Sequence, residues 1–243
     1  MEKGICKLCK KKKELCNQSH IIPDFMYQDL LVEKGKMIKA QSGKRLEKAK
    51  SIQTGDFDKH ILCEDCDNRV IGQYESYASK VLYGGKIPLT MENFKAGDHE
   101  YMEVKNINYK KFKLFLLSIL WRASISDRDF FSEVSLGPYE EQLRRMVLNG
   151  DAGNVNEFPF IIRAYRSKTI SEIVASPIKK RINNNITYKF QINKFEYIFK
   201  VSKNKTRDFF SGFTINKDNN MKIIYIPEKY IEKYIEKISN NFV

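Results

Sequence analysis

The chain has 243 residues, of which 42% are hydrophobic, enough to fill the core of one large domain or two small ones. It carries 43 Lys plus Arg against 30 Asp plus Glu, a formal charge of +13. That excess favours a polyanionic partner, nucleic acid before an anionic membrane surface, although a Lys-rich and Asn-rich composition can arise from an AT-rich genome alone. The longest apolar stretch, Phe112 to Trp121, contains Lys113 and Ser118 and is too short to span a bilayer, so no membrane association is expected. No apolar run follows Met1, so no secretory signal is expected either.

From the N-terminus, Cys6-Lys7-Leu8-Cys9 makes one Cys-x-x-Cys pair, and Cys63-Glu64-Asp65-Cys66 makes a second about fifty residues later. Two such pairs suit one tetrahedral Zn²⁺, because each reaches the ion from a tight turn. Close pairs of this kind indicate metal rather than disulfides in a reducing compartment, so a cytoplasmic protein is expected. Cys16 is left over and reads more simply as a small buried residue, since four ligands already complete the zinc. Lys10, Lys11, Lys12 and Lys13 form a basic turn beside the first pair, open to solvent or to phosphate. Ser19-His20-Ile21-Ile22-Pro23 follows as a strand-like run with a single histidine.

Asp24 to Asp58 is less patterned. Phe25 and Leu30 to Val32 suit a short helix. Gly35 to Thr54, rich in Lys, Gln and Ser, suits an extended hairpin or a mobile basic loop, with Lys44 and Arg45 as candidate phosphate contacts. Past Cys66, Val70, Ile71, Tyr74, Tyr77, Ala78, Val81 and Leu82 fall at helical spacings. Asp67 and Asn68 are placed to cap that helix and Gly84-Gly85 to end it. Glu75 lies on it, where an exposed pairing with a lysine is the simplest expectation.

Tyr109 to Ser126 is the strongest helix signal, with Phe112, Phe115, Leu116, Ile119 and Leu120 on one broad face. Arg122 in this helix suits a bridge to a core carboxylate better than a phosphate contact. Pro138 to Leu148 reads as another helix, stopped by Asn149-Gly150. After Asp151 the composition turns β-rich, with short runs at Phe158 to Tyr165, Thr187 to Ile192, Glu196 to Val201 and Met221 to Ile226. A last amphipathic helix is expected over Pro227 to Ile238. The expected fold is α+β, divided into a zinc-bound segment 1–108, a helical segment 109–150 and an α+β region 151–243, with Asn149 to Asn156 as the boundary.

Taken together, Cys6-x-x-Cys9, Ser19-His20-Ile21-Ile22-Pro23 and Leu62-Cys63-x-x-Cys66 resemble the HNH (ββα-metal) nucleases that carry a structural zinc. The resemblance implies a zinc-stapled ββα-metal core at the N-terminus. It also implies that His20 is a general base on the first strand, taking a proton from water while Mg²⁺ or Mn²⁺ stabilises the scissile phosphate and the leaving oxygen. More narrowly, the chain is similar to bacterial proteins with the same Ser-His-Ile-Ile-Pro run. These also carry an acidic residue after the second cysteine pair, a glutamate on the next helix and a Leu-Leu-Ser-x-Leu-Trp-Arg helix. Asp67, Glu75 and Leu116 to Arg122 stand at those positions, so the resemblance reaches to about residue 150.

The chain departs from the family at three places. Ser19 stands where an Asp or His usually binds the catalytic metal, and it can contribute only weakly or through water. Asp67 stands where His is common, and a carboxylate holds Mg²⁺ well. Asp58 and His60 are the local candidates for a usual asparagine, and Asp67 with one of them is expected to hold a divalent cation opposite His20, so that His20 and Asp67 converge on one site; His99 carries no motif. The resemblance implies a nucleic-acid endonuclease, on DNA before RNA, of a kind that often serves in defence or in mobile elements. The alternative is a noncatalytic zinc-finger module holding nucleic acid or a protein partner. A homo-oligomer is open in either case.

Overall fold

The computed structural model describes residues 2–27, 37–40, 50–52, 55–84, 87–97, 99–166, 173–182, 184–202, 209–227 and 230. The first cysteine pair occupies the turn of a hairpin made by β1 (Lys3–Ile5) and β2 (Lys12–Glu14). Next, β3 (Ser19–His20) pairs antiparallel with β6 (Phe57–Asp58), Ser19 facing Asp58 and His20 facing Phe57. Among the described residues, two elements lie between them in the chain. One is a 3-10 turn, Asp24–Tyr27, where the sequence suggested a short helix. The other is the expected hairpin, β4 (Met37–Ala40) with β5 (Lys50–Ile52). Leu30 to Val32, Lys44 and Arg45 lie outside the described residues.

The helix after Cys66 starts earlier than its capping signals suggested. A π-helical turn, Asp65–Ile71, begins on the second cysteine pair and runs into α1 (Gly72–Leu82). Glu64 before it already has helical dihedrals and makes no side-chain cap bond, so Asp67 and Asn68 sit inside the first turns instead of capping them. Wider turns of this kind recur at functional sites. Gly84, at φ +83°, follows the helix end in a conformation that costs a side-chain-bearing residue.

α2 (Tyr109–Ser124) opens with the Asn108 side chain accepting from the Lys111 amide at 2.9 Å. Every residue from Phe112 to Ala123 is buried, so this helix is apolar all round and must lie at the centre. α3 (Tyr139–Asn149) ends at Gly150 in the left-handed region, as the Asn-Gly signal indicated.

Nine described strands form one sheet in the order β5-β4-β10-β11-β12-β9-β13-β8-β7. The further members are β7 (Thr90–Ala96), β8 (His99–Lys105), β9 (Phe160–Ala164), β10 (Ile173–Ile182), β11 (Asn185–Ile192), β12 (Phe195–Val201) and β13 (Met221–Tyr225). Four of these match the expected β-rich runs. β10 escaped the sequence reading because Ser176-Pro177 interrupts it; the register shift between Ala175 and Ile178 makes room for a proline that cannot donate a ladder bond. The sheet takes strands from 37–52, 90–105 and 160–225, and so draws on both sides of residues 108 and 150. The fold is mixed α+β. Of the expected last helix, only Pro227 and Tyr230 lie among the described residues.

Aromatic rings join α2 to the sheet: Phe112 meets Phe160 at 6.3 Å, and Phe199 lies 6.3 Å from Phe160 and 5.5 Å from Phe190. Toward the N-terminal segment, Phe115 meets Phe25 at 5.6 Å. Each such buried ring contributes about 1.5–3 kcal/mol. Three buried residues of α2, Lys113, Ser118 and Arg122, are exceptions to its apolar character. Lys113 is 1% exposed and donates to Asn154 O at 2.6 Å and to Tyr109 Oη at 3.1 Å. Burial pulls its ammonium down to about 7, against the opposing pull of Glu157 and Asp151.

Between about pH 7 and the ordinary lysine value of about 10.4, the unfolded chain therefore binds more protons at Lys113 than the folded one, and stability rises with pH. Urea denaturation of wild type and Lys113→Met across that range is expected to show a steeper rise for wild type. Parallel curves would refute the assignment, since other titrating groups contribute equally to both proteins.

Candidate functional site

A hairpin turn and the start of a helix deliver the four cysteine sulfurs. In the first, the Cys6 amide donates to Lys11 O at 3.0 Å and the Lys10 amide to Cys6 O at 2.9 Å, with Lys10 at φ 60°. In the second, the amides of Cys66 and Asp67 both donate to Cys63 O at 3.0 Å. Backbone bonds from Lys7 to Ile61 O and from Cys16 to Leu62 O, each 2.8 Å, hold the two turns together. The ligand atoms of Cys6, Cys9, Cys63 and Cys66 all lie within 4.8 Å of one another. The Cys63 amide also donates to Cys6 Sγ at 3.4 Å, which suits a thiolate. The Cys66 thiol donates to Cys6, holding Cys6 below the usual thiol range and Cys66 above it. Four sulfurs this close together could hold a structural metal such as Zn²⁺. Cys16 is half-buried and outside the cluster, as its spacing suggested; burial raises its thiol.

Beside this cluster, β3 presents two different faces. Ser19 is fully buried and its hydroxyl donates to Asp67 Oδ2 at 3.3 Å. Its register partner Asp58 lies on the same face, because strand side chains alternate. His20, on the other face, is 32% exposed; its ring stands edge-on to Phe57 at 6.1 Å, and Nε2 lies 3.1 Å from Asp24 Oδ2. The sequence argument expected His20 and Asp67 to converge on one site. The residue that touches Asp67 is instead Ser19, while His20 is near enough for its charge to oppose the upward shift of the Asp67 carboxyl.

A buried arginine joins these parts to α2. Arg122, 1% exposed, donates from Nη1 to His20 O at 2.6 Å and from Nε to Ser118 O at 3.3 Å. Its Nη2 lies 2.7 Å from Glu75 Oε1, an ion pair by distance whose geometry is off the hydrogen-bond line. Glu75 therefore serves a core arginine and not a surface lysine, which settles Arg122 as the expected carboxylate bridge. Burial pushes Asp67 above the usual carboxylate range; Arg122 opposes that shift and Glu75 adds to it.

On β6, Asp58 Oδ1 accepts from Arg128 Nε at 3.0 Å, while its Oδ2 is buried without a hydrogen-bond partner. Arg128 also donates to Phe57 O and lies over the Phe57 ring at 5.2 Å. Asp67 and the orphaned Asp58 oxygen are hard donors of the type Mg²⁺ or Mn²⁺ takes. Among the described residues, however, only the four cysteines form a group of three or more ligands within 4.8 Å.

His60 stands apart from this arrangement. At φ 58°, its Nδ1 pairs with Glu2 at 2.9 Å and its Nε2 meets Asn17 at 3.3 Å. Lys10, Lys11 and Lys12 are at the surface of the first turn, and Lys13 pairs with Asp65 at 3.7 Å. Sequence reading missed Asp24 and Arg128. The i, i+4 spacing of His20 and Asp24 was the available signal for the first; nothing local marks the second. Comparison of the chain with protein-family models, with curated proteins and with solved structures gave no match.

Replacing Cys63 by Ser should strip the metal and unfold the N-terminal segment, since metal-binding energy here is folding energy. Elemental analysis with circular dichroism checks this. A native-like spectrum with undiminished metal would count against the four-cysteine site.

Proposed function

We propose that the chain is a metal-dependent endonuclease that hydrolyses phosphodiester bonds in nucleic acid, DNA before RNA, with His20 as general base. The observation that carries this reading is a partly exposed imidazole whose own backbone carbonyl is fixed by a buried arginine, one residue from a serine bonded to a helix carboxylate. A base must be reachable by its proton donor yet held still, and His20 meets both conditions. The chain order of β3, β6 and the helix starting at Asp65 supports the ββα-metal reading. A neutral imidazole can take a proton from water near pH 7. Mg²⁺ or Mn²⁺, held by Asp67 with Asp58, would supply charge stabilisation at the phosphate. Ser19 orients Asp67, Arg122 holds the strand, and the +13 charge draws the polyanion, with Lys10 to Lys12 exposed for phosphate contact.

One observation favours the second reading, a noncatalytic zinc-finger module. The hard oxygen donors stop short of a preformed three-ligand group among the described residues. Plasmid, single-stranded DNA and RNA incubated with Mg²⁺ or Mn²⁺ decide between the two. Cleavage by wild type and a loss of about 100-fold or more in His20→Ala, with metal content and circular dichroism unchanged, is the expected outcome. Binding without cleavage selects the module. Under either reading, affinity for duplex DNA should fall steeply as salt rises; salt-indifferent binding would remove nucleic acid as the partner.

A further inference from the structure

Asp24 meets His20 at Nε2, and nothing above gives it a role. It opens the 3-10 turn that follows Pro23, one helical turn beyond His20. Its Oδ2 lies 3.1 Å from His20 Nε2, while its Oδ1 accepts from the Gly55 amide at 3.3 Å. Both carboxylate oxygens are thus engaged, one on the imidazole and one on the backbone two residues before β6. Gly55 is needed for that grip. A Cβ there would come within 2.8 Å of Asp24 Oδ1 and 2.6 Å of the buried Tyr27 ring.

We propose that Asp24 is a positioning residue that fixes the tautomer of His20, so that Nδ1 is the nitrogen that takes the proton. An ionised carboxylate has no hydrogen to give, so the Nε2 facing it must carry one. A neutral imidazole holds a single N–H, which leaves the lone pair on Nδ1. The same contact steadies the imidazolium once the proton has moved, as a carboxylate behind a histidine does in acyl-transfer triads. Among the described residues, the other charged groups of this site have different primary partners. Arg122 is turned to the His20 carbonyl and Glu75, Asp67 to Ser19, Arg128 to Asp58 and the Phe57 carbonyl, and Asp56 to Lys39. Phe57 offers the ring only an apolar edge contact. Asp24 alone among these residues meets an imidazole nitrogen.

The proposal rests on the reading of His20 as the base, but its first test does not require activity. Histidine-labelled protein is measured by long-range ¹H–¹⁵N correlation at a pH where the imidazole is neutral, with the His20 signals assigned from their loss in His20→Ala. Wild type is expected to show a protonated Nε2 and a bare Nδ1; Asp24→Ala should give a mixture or the reverse. A wild-type His20 protonated on Nδ1, or an Asp24→Ala spectrum unchanged from wild type, overturns the proposal. If wild type cleaves DNA, Asp24→Ala should lose about 10–100-fold in kcat and Asp24→Glu should regain part of it. An altered tautomer with undiminished kcat overturns the catalytic consequence. Absence of cleavage in wild type refutes the nuclease reading alone, and the spectra still decide the tautomer.

Discussion

Everything in the N-terminal segment depends on four sulfur atoms occupying one small volume. They close a loop of about fifty residues, and that loop contains the histidine strand, its partner strand and the acidic residues around them. Loop closure of this length costs only a few kcal/mol, because the cost grows slowly with chain length. Tetrathiolate binding of a metal exceeds it comfortably. Beyond that energy, the cluster also sets the register. With Cys6 and Cys63 fixed against each other, Leu15 bridges Cys63, Cys16 bonds Leu62, and β3 meets β6 with Ser19 against Asp58 and no other alignment. A slip of one residue would exchange the faces of Ser19 and His20.

Arg122 provides the second fixed point. A guanidinium buried in an apolar helix is expensive unless its donors are satisfied, and here they reach a carbonyl on β3, a carboxylate on α1 and the Ser118 hydroxyl on its own helix. The helix that the aromatic rings bind to the sheet is in this way also the helix that holds the histidine strand. The site consequently inherits the rigidity of the core rather than that of the surrounding loops.

The parts legible in the sequence were those with local causes. Paired cysteines at a three-residue spacing announce the metal cluster, and a strong apolar period announces α2. Asn149-Gly150 marks the end of α3, and the β-branched and aromatic runs mark four strands. The parts that were not legible depend on contacts far apart in the chain. Nothing within a few residues of Glu75 shows that Arg122 will reach it, and nothing near Ser19 shows that it, in place of His20, will meet Asp67. The early start of the helix on Cys66 is likewise set by the cysteine turn rather than by Asp67 and Asn68. Thr90–Ala96 and His99–Lys105 went unread because the outer strand is exposed along its length and lacks the apolar alternation that marks a half-buried strand.

The placement of β4 has a consequence for how this molecule is made. Its parallel neighbour in the sheet is β10, with Ile38 beside Ile173, about 135 residues away. At ribosomal rates of about 5–20 residues per second, the hairpin of β4 and β5 waits roughly seven to thirty seconds for the strand it will pair with. The cysteine turns, by contrast, can close as soon as Cys66 has emerged. During synthesis the chain therefore passes through a stage with its metal loop shut and a two-stranded edge unpaired. Such edges recruit other chains, so the interval before β10 emerges is when this chain is most open to unwanted pairing.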